Sequence, residues 1–218
     1  MKRAFSNRDL QRRQFDAAPF DGVWRSAIGR PELHGSWIIY GGSGSGKTTF
    51  ALQLAKYLTR FGRVAYDTLE QGLSLSFQRA WLMAGMDEAG NRVVVLDREP
   101  MGDLRERLAR RKSPDIVIID SLTCLPGFGK VEYMQMMRTY SQKLFIFLAH
   151  ERQGRPDPAI AETVRRLSEV KMRVEGFKVF TVSRYTVPER QEGTDEYIVW
   201  PEGADGYWNN RIINTTKS

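Results

Sequence analysis

The feature that most constrains the fold of this chain is a glycine-rich octapeptide between two segments of different periodicity. Residues 41–48 read Gly-Gly-Ser-Gly-Ser-Gly-Lys-Thr and fit the pattern G-x-x-x-x-G-K-[ST] at every required position. An apolar run, 37–40, precedes them, and the stretch 47–60 carries Phe50, Leu54 and Leu58 at helical spacing. A strand, a tight loop and a helix in this order favour a parallel sheet covered by helices.

The same octapeptide predicts a site for the phosphates of a nucleotide. Its glycines let backbone N–H groups turn toward an anion, and the start of the following helix adds the positive end of its dipole. Lys47 is expected to reach the β- and γ-phosphates, and Thr48 to bind Mg²⁺. We therefore predict that ATP and Mg²⁺ are bound by Gly41, Gly42, Ser43, Gly44, Ser45, Gly46, Lys47, Thr48 and Thr49.

Short apolar runs continue to alternate with helical stretches along the rest of the chain. The runs predict strands over 63–67, 92–97, 115–120 and 144–149. Helices are predicted over 73–84, 103–112, 131–142 and 159–167. Three later runs are expected to be antiparallel additions at one edge of the sheet: 170–174, 178–185 and 196–200. The predicted fold class is α/β, a mostly parallel twisted sheet flanked by helices, with antiparallel strands added at the C-terminal edge.

The two ends of the chain differ from this regular part. The first thirty residues contain seven Lys or Arg and three Asp, with aromatic residues scattered among them. This pattern predicts a basic arm over 1–34, outside a core over 35–218 that carries a C-terminal β extension. The aromatic residues near the C-terminus are expected to pack on a β-hairpin around 203–206, with stacking on adenine or a base as the alternative: Tyr197, Trp200, Tyr207 and Trp208.

Charge and composition limit the partners and the cellular compartment that are expected for the protein. A formal net charge of +7 favours attraction to polyanions, either nucleic acid or an anionic membrane surface. The single cysteine, Cys124, excludes an internal disulfide and fits a reducing compartment, where it is expected to pack in the core. Because every apolar run is far shorter than the ~20 residues of a membrane span, a cytoplasmic protein is expected.

Two carboxylates are predicted to complete the phosphate site. Asp120 ends the apolar run 116–119, so its side chain should emerge beside the glycine-rich loop and hold Mg²⁺ through water. The next residue is Ser121, so a catalytic base has to come from elsewhere. Glu70 follows the strand predicted over 63–67, from where it would orient and deprotonate the attacking water, and Asp67 is the alternative base.

In combination, these motifs resemble the RecA-like P-loop ATPases, in particular cores of the RadA and DnaB type. The resemblance extends over about residues 35–185 and depends on four segments: 41–49, 65–70, 116–122 and 145–150. It implies Mg²⁺-dependent hydrolysis of ATP to ADP and phosphate, stimulated by DNA, in recombination, replication or repair. It also implies a homo-oligomeric ring or filament, and a core of this size resembles versions encoded by phages or mobile elements.

The resemblance also assigns further residues. His150 directly follows the strand predicted over 144–149, at the position where the family has a residue that senses the γ-phosphate. Arg184 matches the position of a basic residue that completes the site of a neighbouring subunit. Contacts to DNA, with single strands favoured, are expected from Arg152 and Arg155 in the loop after His150 and from Lys130.

Two other functions are compatible with these motifs. A KaiC-like protein-interaction switch would use the same core to change partners without DNA. A small-molecule P-loop kinase would use Glu70 to bind an acceptor hydroxyl, but no segment is a clear lid over the phosphates. The basic stretch Arg105, Arg107, Arg110, Arg111 and Lys112 is interpreted as a solvated helix face, with DNA binding as the alternative.

Overall fold

The predicted apolar runs form one sheet in the computed structural model, which describes residues 4–186 and 196–215. The strands of this sheet are β1 Gly35–Gly41, β2 Val64–Thr68, β3 Val93–Leu96, β4 Ile116–Asp120, β5 Leu144–Arg152, β6 Arg155–Asp157, β7 Val170–Glu175, β8 Lys178–Ser183 and β9 Tyr197–Ile198. The helices are α1 Asn7–Arg12, α2 Gly22–Ile28, α3 Lys47–Leu58, α4 Leu75–Met83, α5 Met101–Ala109, α6 Lys130–Thr139, α7 Ala159–Leu167 and α8 Pro201–Thr215.

The strand order is β3-β2-β4-β5-β1-β7-β8-β9, with β6 paired to β5. The strands from β3 to β7 in this order are mutually parallel, whereas β6, β8 and β9 are antiparallel to their neighbours. The prediction of a mixed α/β fold with a mostly parallel sheet is therefore confirmed. Among the described residues, no helix is both long and apolar enough to cross a membrane.

One predicted strand direction is wrong. The run 170–174 becomes β7, which pairs with β1 in parallel and not as an antiparallel addition. The helix α7 lies between β5 and β7 in the chain and provides the crossover that two parallel strands require. The antiparallel part begins only at β8, after a tight turn in which Gly176 and Phe177 both have positive φ angles, as in two-residue hairpin loops.

Apolar side chains cover both faces of the sheet. Trp37 and Ile39 of β1 belong to the cluster that packs against α3, and Ile38 belongs to the cluster beneath α5, α6 and α7. This alternation explains why β1 is apolar throughout, since a central strand is buried on both faces. Tyr133 and Met136 of α6 lie in the second cluster, and the partly buried Cys124 packs against this cluster.

The first thirty residues contribute to the core, which corrects the expectation of an arm. Phe20 is only 2% exposed, and Ile28 is buried with it in the cluster around α3. Trp24 stacks on Phe50 and Tyr57 of α3, with ring centroids 5.9 and 5.0 Å apart. The helix α1, in contrast, has no buried residue. The aromatic residues in this segment were the signal of packing, and the high charge around them concealed it. The division of the chain at residue 34 stays a prediction.

The C-terminal segment also differs from its prediction, because residues 203–206 belong to the helix α8 and not to a hairpin. Pro201 begins this helix, a position where its fixed φ angle suits the helical backbone. A Cβ at Gly203 would lie 2.2 Å from the ring of Trp200, so glycine allows a close approach there. The Trp208 indole N–H donates a hydrogen bond to the carbonyl of Gly176 and fixes α8 against the β7–β8 turn.

Candidate functional site

Four predicted site segments meet at one edge of the sheet. In the register of β1 with β5, Gly41 is opposite His150, and in the register of β2 with β4, Thr68 is opposite Asp120. All four strands are parallel, so their carboxyl ends lie at the same edge, where ligands bind in open α/β sheets. The glycine-rich loop and Glu70 follow β1 and β2 directly and therefore lie at this edge as well.

The glycine-rich loop is closed by its lysine. Gly46, with φ of 101°, turns the chain from the loop into α3, which begins at Lys47. The Lys47 ammonium donates hydrogen bonds to the carbonyls of Gly41 and Gly42, at 3.0 and 2.8 Å. Burial lowers the pKa of Lys47, and the nearby carboxylates of Glu70 and Asp120 oppose this shift. The ammonium thus lies inside the loop, where a bound phosphate would meet it.

Asp120 is buried beside the start of α3. Its Oδ2 accepts hydrogen bonds from the Tyr66 hydroxyl at 2.7 Å and from the Thr48 hydroxyl at 3.3 Å. Burial raises the pKa of Asp120 to about 6, although both hydrogen bonds act to lower it. The two residues predicted to bind Mg²⁺ are therefore in contact. Tyr66 was not predicted as a site residue. The available signal was a hydroxyl group within the buried run 64–68, since a buried hydroxyl needs a polar partner.

The donor set fits ATP with Mg²⁺. A hydroxyl and a carboxylate supply the oxygen ligands that Mg²⁺ prefers, and this ion commonly takes only one or two protein carboxylates. Within the described part of the chain, the hydroxyls of Ser45, in the loop, and Thr68, beside Asp120, are buried without a hydrogen-bond partner. Unsatisfied buried hydroxyls are rare, and two at one edge indicate that a polar ligand belongs there.

Glu70 lies beside this pair and is held by two side chains. Its Oε2 accepts a hydrogen bond from the Ser121 hydroxyl at 3.1 Å and lies 3.0 Å from His150 Nε2. A carboxylate only accepts hydrogen bonds, so this second contact requires a proton on Nε2. The Glu70 side chain is 41% exposed, which leaves it open to water.

The alternative base, Asp67, points to the other face of the sheet. It is 1% exposed and accepts a hydrogen bond from the backbone N–H of Glu99 at 3.1 Å. Burial raises the pKa of Asp67 to about 7. Successive side chains of a strand point to opposite faces, so Tyr66 faces Asp120 and Asp67 does not. This placement favours Glu70 over Asp67 as the base.

A cleft of about 310 Å³ opens beside the glycine-rich loop. Arg173 of β7 forms ion pairs with Glu151 and Glu175 in its wall, both at 2.9 Å. Phe177 and Tyr207 line the cleft on the side of the β7–β8 turn and α8. None of these residues was predicted for the site, although the alternation of charged and apolar residues over 170–175 indicated that one face of β7 is polar.

Arg184 does not belong to this edge. It follows β8, and its guanidinium lies 3.4 Å from Glu169, which precedes β7. Since β8 has six residues and a strand rises ~3.3 Å per residue, Arg184 lies about 20 Å from the loop edge. Arg184 therefore does not complete the site of its own chain, and a role at a neighbouring subunit stays a prediction.

The predicted DNA-contacting residues lie on two segments. Arg152 and Arg155 are paired across the hairpin of β5 and β6, so the expected loop after His150 is largely a two-stranded ribbon. Lys130 is exposed at the first turn of α6. The structure brings together the predicted phosphate, metal and base residues, and it leaves the DNA contacts untested.

Comparisons with known proteins identify the fold. FlaH, a flagellar accessory protein from Methanocaldococcus jannaschii, has a TM-score of 0.56 at 17% identity, over 76% of this chain and 86% of its own. The KaiC-like protein PH0186 from Pyrococcus horikoshii has a TM-score of 0.52 at 17% identity, over 78% of this chain and 88% of its own. No protein-family model and no curated protein matches. Both structures share the fold of this chain, a mixed α/β fold with a mostly parallel sheet.

Proposed function

We propose that this protein, with its RecA-like fold, hydrolyses ATP with Mg²⁺ and couples hydrolysis to single-stranded DNA. The observation that carries the proposal is the meeting of Lys47, Thr48, Asp120 and Glu70 at one sheet edge. These residues supply a phosphate-binding cation, a metal-binding pair and a base, which are the parts that phosphoryl transfer requires.

The chemistry assigned to each residue follows from its position. Lys47 and the loop N–H groups bind and neutralise the β- and γ-phosphates of ATP. Mg²⁺, held by Thr48 and through water by Asp120, would withdraw charge from the phosphates. Glu70 orients a water whose oxygen attacks the γ-phosphorus. The bond to the β–γ bridging oxygen breaks, the water proton passes to Glu70, and ADP and phosphate leave.

A physical connection leads from this base to the predicted DNA contacts. His150 contacts Glu70 and lies on β5, which continues into the hairpin of Arg152 and Arg155. A γ-phosphate that accepts a hydrogen bond from His150 would therefore act directly on the start of the hairpin. The net charge of +7 supports a polyanionic partner. We assign His150 the role of sensor, and Arg184 that of a residue completing a neighbouring subunit's site in a ring or filament.

The alternative is a KaiC-like switch without DNA. A KaiC-like protein is among the structures with the same fold, so this function is retained. The small-molecule kinase has no such support, since no lid over the loop was recognised in the sequence. A phage or mobile-element origin stays a prediction of the sequence, as do roles in recombination or repair.

The test is the release of phosphate from ATP at low salt, with and without single-stranded DNA. We expect DNA to increase the rate for the wild type. Lys47→Ala should abolish hydrolysis, and Glu70→Gln should lower kcat by roughly 10²–10⁴, the usual loss when a general base is removed. Asp67→Asn is the matched control, since this carboxylate faces away from the loop and its loss should leave the rate unchanged.

Each result has a distinct meaning. A Glu70→Gln variant with full activity contradicts the assignment of the base, whether or not DNA stimulates. Equal hydrolysis with and without DNA, over a range of low salt, supports the switch. Consumption of ATP without free phosphate, dependent on an added acceptor, would revive the kinase.

A further inference from the structure

A strongly cationic recess lies at the sheet edge opposite the ATP site. It occupies about 200 Å³ between the start of β2, the start of β3 and the end of α5. We name this recess the α5 cleft. Six basic side chains of the described chain line it, and no Asp or Glu does: Arg63, Arg92, Arg107, Arg110, Arg111 and Lys112. The strands begin at this edge and end at the glycine-rich loop, so the α5 cleft is separate from the site described above.

Most of these charges are not neutralised by a carboxylate. Arg107 pairs with Glu99 at 2.8 Å, but in the described parts of the chain no ion pair involves any of the other five cations of the cleft. Arg63 and Arg92 donate instead to the carbonyls of Ser113 and Thr59, at 3.1 and 3.0 Å, which fixes their guanidinium groups. The side chains of Arg110, Arg111 and Lys112 are exposed at the cleft. Arg110, Arg111 and Lys112 thus remain fully available to an anion.

The floor of the cleft is apolar and small. Val64, Val94 and Pro114 lie between the cations, and Val94 is 44% exposed on the edge strand β3. A recess of about 200 Å³ is far too small for a duplex, but it has room for a phosphate with part of its sugar or base. Guanidinium groups suit phosphate geometry, and an apolar floor suits a sugar or a base.

We propose that the α5 cleft binds the phosphodiester backbone of a single-stranded nucleic acid, independently of ATP. This site goes beyond the proposed function, which places DNA contacts on the hairpin beside the ATP site. At this opposite edge of the sheet, the protein would bind single-stranded nucleic acid whether or not ATP is bound.

The test is binding of a fluorescent oligothymidine, followed by anisotropy over a range of salt without ATP. The variant is Arg110→Ser with Arg111→Ser. The matched control is Arg8→Ser with Arg12→Ser, which removes two exposed charges from α1. Each phosphate contact on a single strand contributes ~0.7 to the slope of log affinity against log salt, so losing two should reduce the slope by about 1.4. If the wild type and the cleft variant bind equally at 1 M salt, the affinity of the variant at about 0.1 M salt should then be roughly 25-fold lower than that of the wild type.

The control pair should retain the wild-type slope more closely than the cleft pair, and thermal unfolding should confirm that both variants are folded. Wild-type affinity in the folded cleft variant overturns the proposal, and so does an equal loss in both pairs. The proposal is also overturned if inorganic pyrophosphate, at the same phosphate concentration as the oligonucleotide, displaces the oligonucleotide completely. Tighter binding to anionic vesicles than to the oligonucleotide would overturn it as well. Because this binding is measured without ATP, failure of the ATPase proposal is distinguishable from failure of this one.

Discussion

The hydrogen bond from Tyr66 to Asp120 gives a prediction that depends on pH. Tyr66→Phe removes one hydroxyl from a fully buried position and leaves Asp120 with Thr48 as its partner. Because the pKa of Asp120 is about 6, its carboxyl is ionised at pH 8 and mostly protonated at pH 5. A hydrogen bond to a charged group contributes about 1.5–3 kcal/mol, and one between neutral groups about 0.5–1.5 kcal/mol.

The loss in unfolding free energy should therefore be about 1 kcal/mol larger at pH 8 than at pH 5. This difference corresponds to a rise of about 0.7 in the pKa of Asp120, since one pKa unit equals about 1.4 kcal/mol. The assay is urea denaturation of the wild type and the variant at both pH values, with a chelator present so that no metal binds Asp120.

The matched control is Tyr133→Phe, because the Tyr133 hydroxyl lies 2.7 Å from the hydroxyl of Ser36 in the core. Its loss should be about 0.5–1.5 kcal/mol and the same at both pH values, since both partners are neutral. If Tyr66→Phe also loses the same amount at pH 5 and pH 8, Asp120 does not ionise in this range or does not accept from Tyr66, and the reasoning is refuted.

Three further predictions concern the core, the buried aspartate and the oligomer. Phe20→Ala should lower the unfolding free energy in urea by about 3–5 kcal/mol, whereas Phe15→Ala, at a residue 54% exposed, should change it by less than about 0.5 kcal/mol; equal effects would contradict the packing of the N-terminal segment. The pKa of Asp67 is about 7 in the fold and near 3.8 in the unfolded chain, so wild-type stability should fall as pH rises from about 4 to 7, and Asp67→Asn should show a smaller fall in urea titrations. Arg184→Ala and Glu70→Gln should each hydrolyse ATP poorly alone, and mixing them should restore part of the phosphate release if Arg184 acts at a neighbouring site; no recovery in a verified mixed oligomer would refute that role.

The local signals in the sequence were sufficient for most of the parallel sheet and for the edge where the predicted site residues meet. The alternation of apolar runs and helical stretches predicted the parallel strands, and the motif with its flanking strand and helix predicted the loop around Lys47. Glu70 and Asp120 were predicted from one rule, that side chains after parallel strands meet at the same edge.

What could not be predicted depends on contacts between distant segments. Phe20 is buried because α3 offers aromatic partners, and no property of the neighbouring charged residues shows this. The parallel pairing of β7 with β1 depends on the crossover through α7. The apolar run 170–174 alone does not show which strand it will pair with or in which direction. Tyr66 reaches Asp120 only because β2 and β4 are neighbours in the sheet. The contact of Glu70 with His150 joins residues 80 positions apart.

The position of β1 has a consequence for the order in which the protein matures during its synthesis. Residues 41–48 emerge from the ribosome early, but β1 lies between β5 and β7, and its backbone stays partly unpaired until residues 170–175 have been made. The hydrogen bond from Gln53 of α3 to the carbonyl of Val199 can form only later still. Contacts between distant segments are slow to form, since the intervening chain must first be ordered. A nascent chain therefore carries its glycine-rich motif long before the sheet edge around that motif is complete.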